Sequence, residues 1–156
     1  MTAVPVPPLL TPLLTRLGLA GLAALGVACA PVPTVPDMAA SAAPAPTACP
    51  QALAPIARCL AGQDAAGAYY LIAMPHQWNG HLVLHAHGGP ALGAPKPERV
   101  AADLTRWSIM VRAGYAWAGS SFRQGGVEVR AAAQDTERLR QIFVQQVAQP
   151  RRTILH

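Results

Sequence analysis

From about residue 68 onward the chain predicts an α/β domain, on three observations. Apolar, β-rich runs alternate with helix-periodic stretches in the order hairpin, then strand-helix-strand-helix-strand. The interior runs "HLVLHAH" and "YAWAGSSF" are almost continuously apolar, as strands covered on both faces are. The stretches between them are long enough for helical crossovers, so the later strands are expected to run parallel.

Each element has its own local reason. "AYYLIAMP" is a strand that ends at Pro75, and "HQWNG" follows with the Asn79-Gly80 pair of a tight hairpin. "HLVLHAH" is the second arm. "PERVAADLTRWSIMVRAG" is a helix with Pro97 in its first turn and Gly114 just past its end. Within it Val100, Leu104, Trp107 and Val111 form one apolar stripe, which places Trp107 in the core and not on a cofactor. "YAWAGSSF" is the next strand, and Gly125-Gly126 break the chain. A second long helix runs from about Val127 to Val147, with Leu139, Ile142, Phe143 and Val147 facing inward. Pro150 ends it, and "RRTILH" begins a further strand. There is no internal repeat, no P-loop and no G-x-G-x-x-G.

Composition agrees with a buried core: 52% of the 156 residues are apolar and 12% charged. The formal charge is +5, with Lys96 the sole lysine. Arg99, Arg106, Arg112, Arg130, Arg138 and Arg140 lie among apolar residues on helical stretches, as solvated faces do, and not in a cluster with aromatics. Nucleic-acid binding is therefore not expected.

The first part of the chain reads differently. After Arg16 comes "LGLAGLAALGVACA", too short to span a bilayer comfortably and suited to the hydrophobic region of an export signal. Two processing routes compete: cleavage between small residues near Ala28 and Ala30, or lipid attachment at Cys29, since "LGVAC" resembles a lipobox with Gly26 in place of the usual leucine. The Pro/Ala-rich "APVPTVPDMAASAAPAPTA" then reads as a tether. The organisation is a signal or lipoprotein leader over 1–30, a linker over 31–48 and an α/β domain over 49–156. Export, whether periplasmic, secreted or lipid-anchored, gives Cys49 and Cys59 an oxidising setting in which to pair. In the competing reading they are free thiols packed in a short helix.

The stretch "HLVLHAHGGP" raises the functional question. Side chains alternate along a strand, so His85 and His87 share a face and could both reach one metal ion. A catalytic metal site needs a third ligand and usually a supporting carboxylate. The acidic residues fall mostly on the tether or on helices, and none forms a recognisable ligand spacing with the pair. The other reading is a backbone turn. Paired glycines after a strand let the chain bend sharply and point N–H groups outward, where they can stabilise an oxyanion.

Here the sequence resembles the α/β-hydrolase superfamily, in the His-Gly-Gly version shared by esterases and prolyl-oligopeptidase-like peptidases. The resemblance covers about Ala68 to the C-terminus. It implies the N-terminal half of an α/β-hydrolase sheet and the hydrolysis of an ester, amide or peptide bond by acyl transfer, with no cofactor. By position, Gly88 and Gly89 form the oxyanion loop, with the N–H of Gly89 or Ala91 as donor. Pro90 shapes the turn, and His87 supports the loop and is not the base. Ser120 and Ser121 line the site. The family's nucleophile lies in G-x-S-x-G directly after the strand that corresponds to "RRTILH", and that motif occurs nowhere in these 156 residues.

The resemblance thus implies an N-terminal fragment of an exported serine hydrolase, lacking nucleophile, acid and base and inactive alone, whose last strand is an aggregation-prone edge. The alternatives are a metal-binding module using His85 and His87, and a non-catalytic exported lipoprotein. The cheapest check is on the nucleic acid: read in all three frames, the nucleotides after the His156 codon are expected to encode G-x-S-x-G within a few codons.

Overall fold

A computed structural model of the chain describes residues 42–89 and 92–156. The leader, Cys29, most of the tether, Pro90 and Ala91 lie outside the described residues. The described part is a mixed α/β fold built on a six-stranded sheet. In chain order its elements are β1 (Ala45–Thr47), β2 (Ala57–Gln63), β3 (Tyr69–Pro75), β4 (His81–His85), α1 (Pro97–Arg106), α2 (Ser108–Arg112), β5 (Ala116–Ser120), α3 (Val129–Gln146) and β6 (Arg152–Leu155).

Across the sheet the order is β1-β2-β3-β5-β4-β6. β1, β2 and β3 form an antiparallel meander, and β3 is also antiparallel to β5. β4 is parallel to both β5 and β6, in the register Val83↔Trp117 and Val83↔Ile154. The expected parallel later strands are therefore present.

The alternating strand faces divide the core in two. On one face Leu139, Ile142 and Phe143 of α3 pack on Ile72, Leu82 and Ala118. On the other, Val100 and Leu104 of α1 and Val111 of α2 pack on Leu71, Val83 and Trp117.

Four sequence expectations are corrected. The Asn79-Gly80 turn does not make a hairpin, because β5 lies between β3 and β4. Its local chemistry is that of a turn: Asn79 Oδ1 accepts the His81 N–H at 2.9 Å, and Gly80 has φ +84°. The turn also holds the start of β5, through Asn79 N–H to Gly114 O at 2.9 Å, and so opens a strand-wide gap that β5 fills.

The helix expected over 97–114 breaks at Trp107, whose φ of −103° and ψ of 21° leave helical geometry. Val100, Leu104 and Val111 are buried as expected, but the Trp107 ring leaves the core for the C-terminal end of the sheet.

The stretch assigned to the tether contributes β1, whose side chains are all exposed and which pairs only with β2. A disulfide joins Cys49 to Cys59 beside the Thr47↔Cys59 pair, and this tie holds an edge strand that has no apolar face of its own. β2 itself carries no clean alternation and goes unpredicted. Its signal lies in the turn after it, where Asp64 Oδ1 accepts the N–H groups of Ala66 and Ala68, each at 2.9 Å.

Arg138 also departs from expectation. It is fully buried and not on a solvated face. Its Nη1 donates to Asp64 Oδ2 at 2.9 Å and to Asp135 Oδ1 at 2.8 Å. Asp135 in turn accepts from the Arg123 backbone N–H at 2.8 Å. Removing one partner of such a buried pair leaves uncompensated charge behind. Arg138→Met is expected to lower stability by about 3–5 kcal/mol in urea unfolding. Glu137→Ala, which removes the half-exposed Glu137–Arg140 pair, should change it by less than about 1 kcal/mol.

Candidate functional site

β4 is where the connections diverge. The α1–α2 connection leaves β4 for β5 on one side, while α3 carries the chain from β5 over β4 to β6 on the other. The two sets of helices pack on opposite faces of the sheet. A crevice opens at the carboxyl end of a strand placed this way, and ligands of open α/β sheets bind there. The residues at that end are His85 to Gly89.

The ladder with β6 continues past the end of β4: Ala86 N–H donates to His156 O, and His156 N–H to Leu84 O, both at 2.8 Å. The glycine bend therefore sits beside the carboxyl end of β6. Gly88 and Gly89 are exposed, and Gly89 has φ +78°, a left-handed conformation that disfavours any side chain. A Cβ at either position would have nothing within 4 Å. Neither N–H is tied to a described backbone acceptor. The bend leaves two amide groups beside a cavity of about 830 Å³, whose walls include Leu84, Phe122, Val127, Ala132 and Leu155.

His87 stands just before the bend. Its ring stacks on Phe122 with centroids 4.2 Å apart, and Arg99 Nη2 lies 3.0 Å from its Nδ1. A guanidinium can only donate, so Nδ1 accepts and the ring proton sits on Nε2. Burial, then the Arg99 charge, hold the His87 imidazole below its usual pKa, so it is neutral at pH 7. This is a support for the loop, and it is not a free base.

Phe122 has φ +54°, an unfavourable backbone state for a residue with a side chain. The two serines before it hold that state. Ser120 Oγ accepts the Phe122 N–H at 3.1 Å, and Ser121 Oγ donates to Phe122 O at 3.2 Å. Ser121 Oγ also accepts the Tyr69 N–H at 3.0 Å. Ser120 and Ser121 are 3% and 5% exposed, and both hydroxyls are engaged. Ser121 reaches the wall of a smaller cavity of about 170 Å³, together with Lys96 and Arg99. Ser120 borders neither cavity.

His85 belongs to a different group. Its Nδ1 lies 3.2 Å from His156 Nδ1, and its Nε2 lies 3.8 Å from Asp103 Oδ2. Trp117 stacks on it at 5.5 Å, and Trp107 meets His156 edge-on at 4.4 Å. Burial lowers the His85 pKa, against the opposing pull of Asp103. The structure thus gives His85 and His87 separate partners. Among the described residues no group of three His, Cys, Asp or Glu side chains could hold a metal ion.

Sequence reasoning missed Arg99, Asp103, Phe122 and His156 as members of this region. Arg99 and Asp103 are four apart on α1, a spacing that puts both on one helix face, and that was a readable signal. Nothing local in the sequence marks Phe122 as left-handed. Cys49 and Cys59 lie at the opposite edge of the sheet from β6 and take no part in the site. No family model, curated protein or solved structure matches the chain. Among the described residues no helix is long and apolar enough to cross a membrane.

The depressed histidines have a measurable consequence. The unfolded chain takes up protons near the ordinary value of 6.5, while folded His85 and His87 resist protonation until lower pH. Stability is therefore undiminished above about pH 6.5 and falls as the pH drops toward the folded values. Thermal melts from pH 7.5 down to 5 should show this decline, and His87→Gln should flatten it, since glutamine keeps an acceptor for Arg99 without the titration.

Proposed function

We propose that this domain carries the oxyanion-binding element of an exported serine hydrolase of the α/β-hydrolase type, acting on ester, amide or peptide bonds by acyl transfer. One observation carries the reading: the Gly88-Gly89 bend lies in the loop between β4 and α1, beside the carboxyl end of β6. In that type of enzyme one oxyanion donor comes from a loop between a central strand and the first crossover helix. The other is the N–H of the residue after the nucleophile. A bend beside the last parallel strand lets donors from two strand ends converge on one carbonyl oxygen.

The chemistry suits bare amides. As the attacked carbonyl becomes tetrahedral its oxygen gains negative charge, and N–H groups already fixed by the fold need no reorganisation to meet it. The N–H of Gly89, or that of Ala91, is the donor. His87, neutral and tied to Arg99, fixes the approach to the bend without competing for the reaction's proton. The leader-like segment supports export, with Cys29 as the candidate site of a lipid anchor.

Ser120 and Ser121 are not the nucleophile in this reading, because their hydroxyls are committed to Phe122 and Tyr69. These 156 residues contain no G-x-S-x-G. Two measurements test the proposal. Titration with methylphosphonate, a small tetrahedral oxyanion, should shift the amide protons of Gly88, Gly89 or Ala91 saturably in an NMR spectrum, and silence at all three defeats it. Hydrolysis of p-nitrophenyl acetate by the purified chain should not exceed the buffer rate; turnover that Ser120→Ala abolishes would move the nucleophile to Ser120 and overturn the assignment.

A further inference from the structure

Arginines that this domain draws out of solvent have a carboxylate beside them, with one exception. Among the described residues the arginines that are not exposed are Arg99, Arg123, Arg138 and Arg140. Arg123 pairs with Asp135, Arg138 with Asp64 and Asp135, and Arg140 with Glu137. Arg99 forms no ion pair with any described residue. A guanidinium carries five N–H groups. The Arg99 side chain makes one described hydrogen bond, to the neutral ring of His87 at 3.0 Å, and its buried Nε has no acceptor. A cation held partly out of water without a counter-charge is unfavourable, so the position calls for an anion.

The structure has room for one. Arg99 and Lys96 both line the cavity of about 170 Å³ between the chain entering α1 and the chain leaving β5. Lys96 likewise has no ion pair among the described residues. Leu92, Pro95 and Phe122 supply apolar walls, and Glu98 is the one acid among the described lining. Ser121 Oγ is committed to Tyr69 and Phe122, which leaves recognition to the two cations. Two cations against one acid leave a single positive charge to be matched. In so small a space that balance suits a carboxylate on a short carbon chain. A phosphate dianion would carry a second charge against Glu98.

The larger cavity beside the glycine bend shares Phe122 and Gly125 with this one, so the two are neighbours. We infer that the cavity at Lys96 and Arg99 is a carboxylate-binding subsite, and that the substrate of the neighbouring bend carries a free carboxylate beside its ester, amide or peptide bond. The subsite stands on the unpaired guanidinium and its cavity; the nature of the substrate rests on the acyl-transfer reading above. Selection follows from charge, because a neutral analogue leaves the guanidinium without its partner.

Occupation has a signature at His87. Burial, then the Arg99 charge, hold its pKa down, while Asp103 and the backbone of Ser121 and Gly88 pull the other way. An anion on Arg99 offsets that charge and lets the His87 pKa rise.

The test titrates the full chain with sodium butyrate at constant ionic strength, following the Arg99 Nε–H and the His87 ring by NMR. Butyrate should shift the Arg99 signal saturably and raise the His87 pKa. Butyramide, its uncharged counterpart, should do neither. Followed at the His87 ring, Lys96→Ala should weaken butyrate binding about two- to fivefold. Arg99→Lys, which keeps the charge and a donor but loses the planar fork, should weaken it about tenfold. An equal response to butyramide, a shift that does not saturate, or tighter binding of inorganic phosphate than of butyrate overturns the subsite. The bend is read separately, through its own amides with methylphosphonate. Silence there beside a butyrate response at Arg99 sinks the substrate assignment and keeps the subsite; the reverse pattern removes the subsite alone.

Discussion

Everything at the carboxyl end of this sheet depends on β4 being paired in parallel on both sides. A strand with β5 on one edge and β6 on the other must send its connections to opposite faces if both crossovers keep one hand. The divergence of α1–α2 from α3 is thus a consequence of chirality, and so is the opening between them. The almost unbroken apolar run of Leu82, Val83 and Leu84 is what makes such a position tolerable, since this strand is covered above and below. Where that run ends, at His85, the polar chemistry begins.

The polar chemistry forms one connected chain. Asp64, in the turn between β2 and β3, accepts from buried Arg138; Arg138 also donates to Asp135, and Asp135 accepts the backbone N–H of Arg123. Arg123 directly follows Phe122, so the network fixes the carbonyl side of the strained residue, where Ser121 Oγ also donates to Phe122 O, while Ser120 Oγ holds its N–H. Phe122 stacks on His87, and Arg99 holds His87 from α1. An unfavourable φ survives only where its surroundings over-determine it, and this one has contacts from β3, β5 and α3. The strain ends in the orientation of an imidazole next to the glycine bend. A buried ion network is weak evidence for stability by itself, but it can select one arrangement of a loop among several.

How much of this was legible in the sequence follows from the range of each signal. Periodicity located β3, β4, β5, α3 and β6 and the two-faced core, because apolar spacing is a local record of burial. It also located the glycine bend at the end of a central strand. Strand order was less accessible. Asn79-Gly80 encodes a turn correctly, yet a turn does not name the neighbour of the strand it releases, and β5 was drawn between by Gly114. Trp107 was misplaced for a related reason. Its spacing matches the stripe, but the ring finds His156 across the sheet end, a contact separated by half the domain in sequence. Arg138 looked like a surface cation because nothing nearby in sequence reveals Asp64. β1, with no buried side chain, leaves no apolar pattern at all.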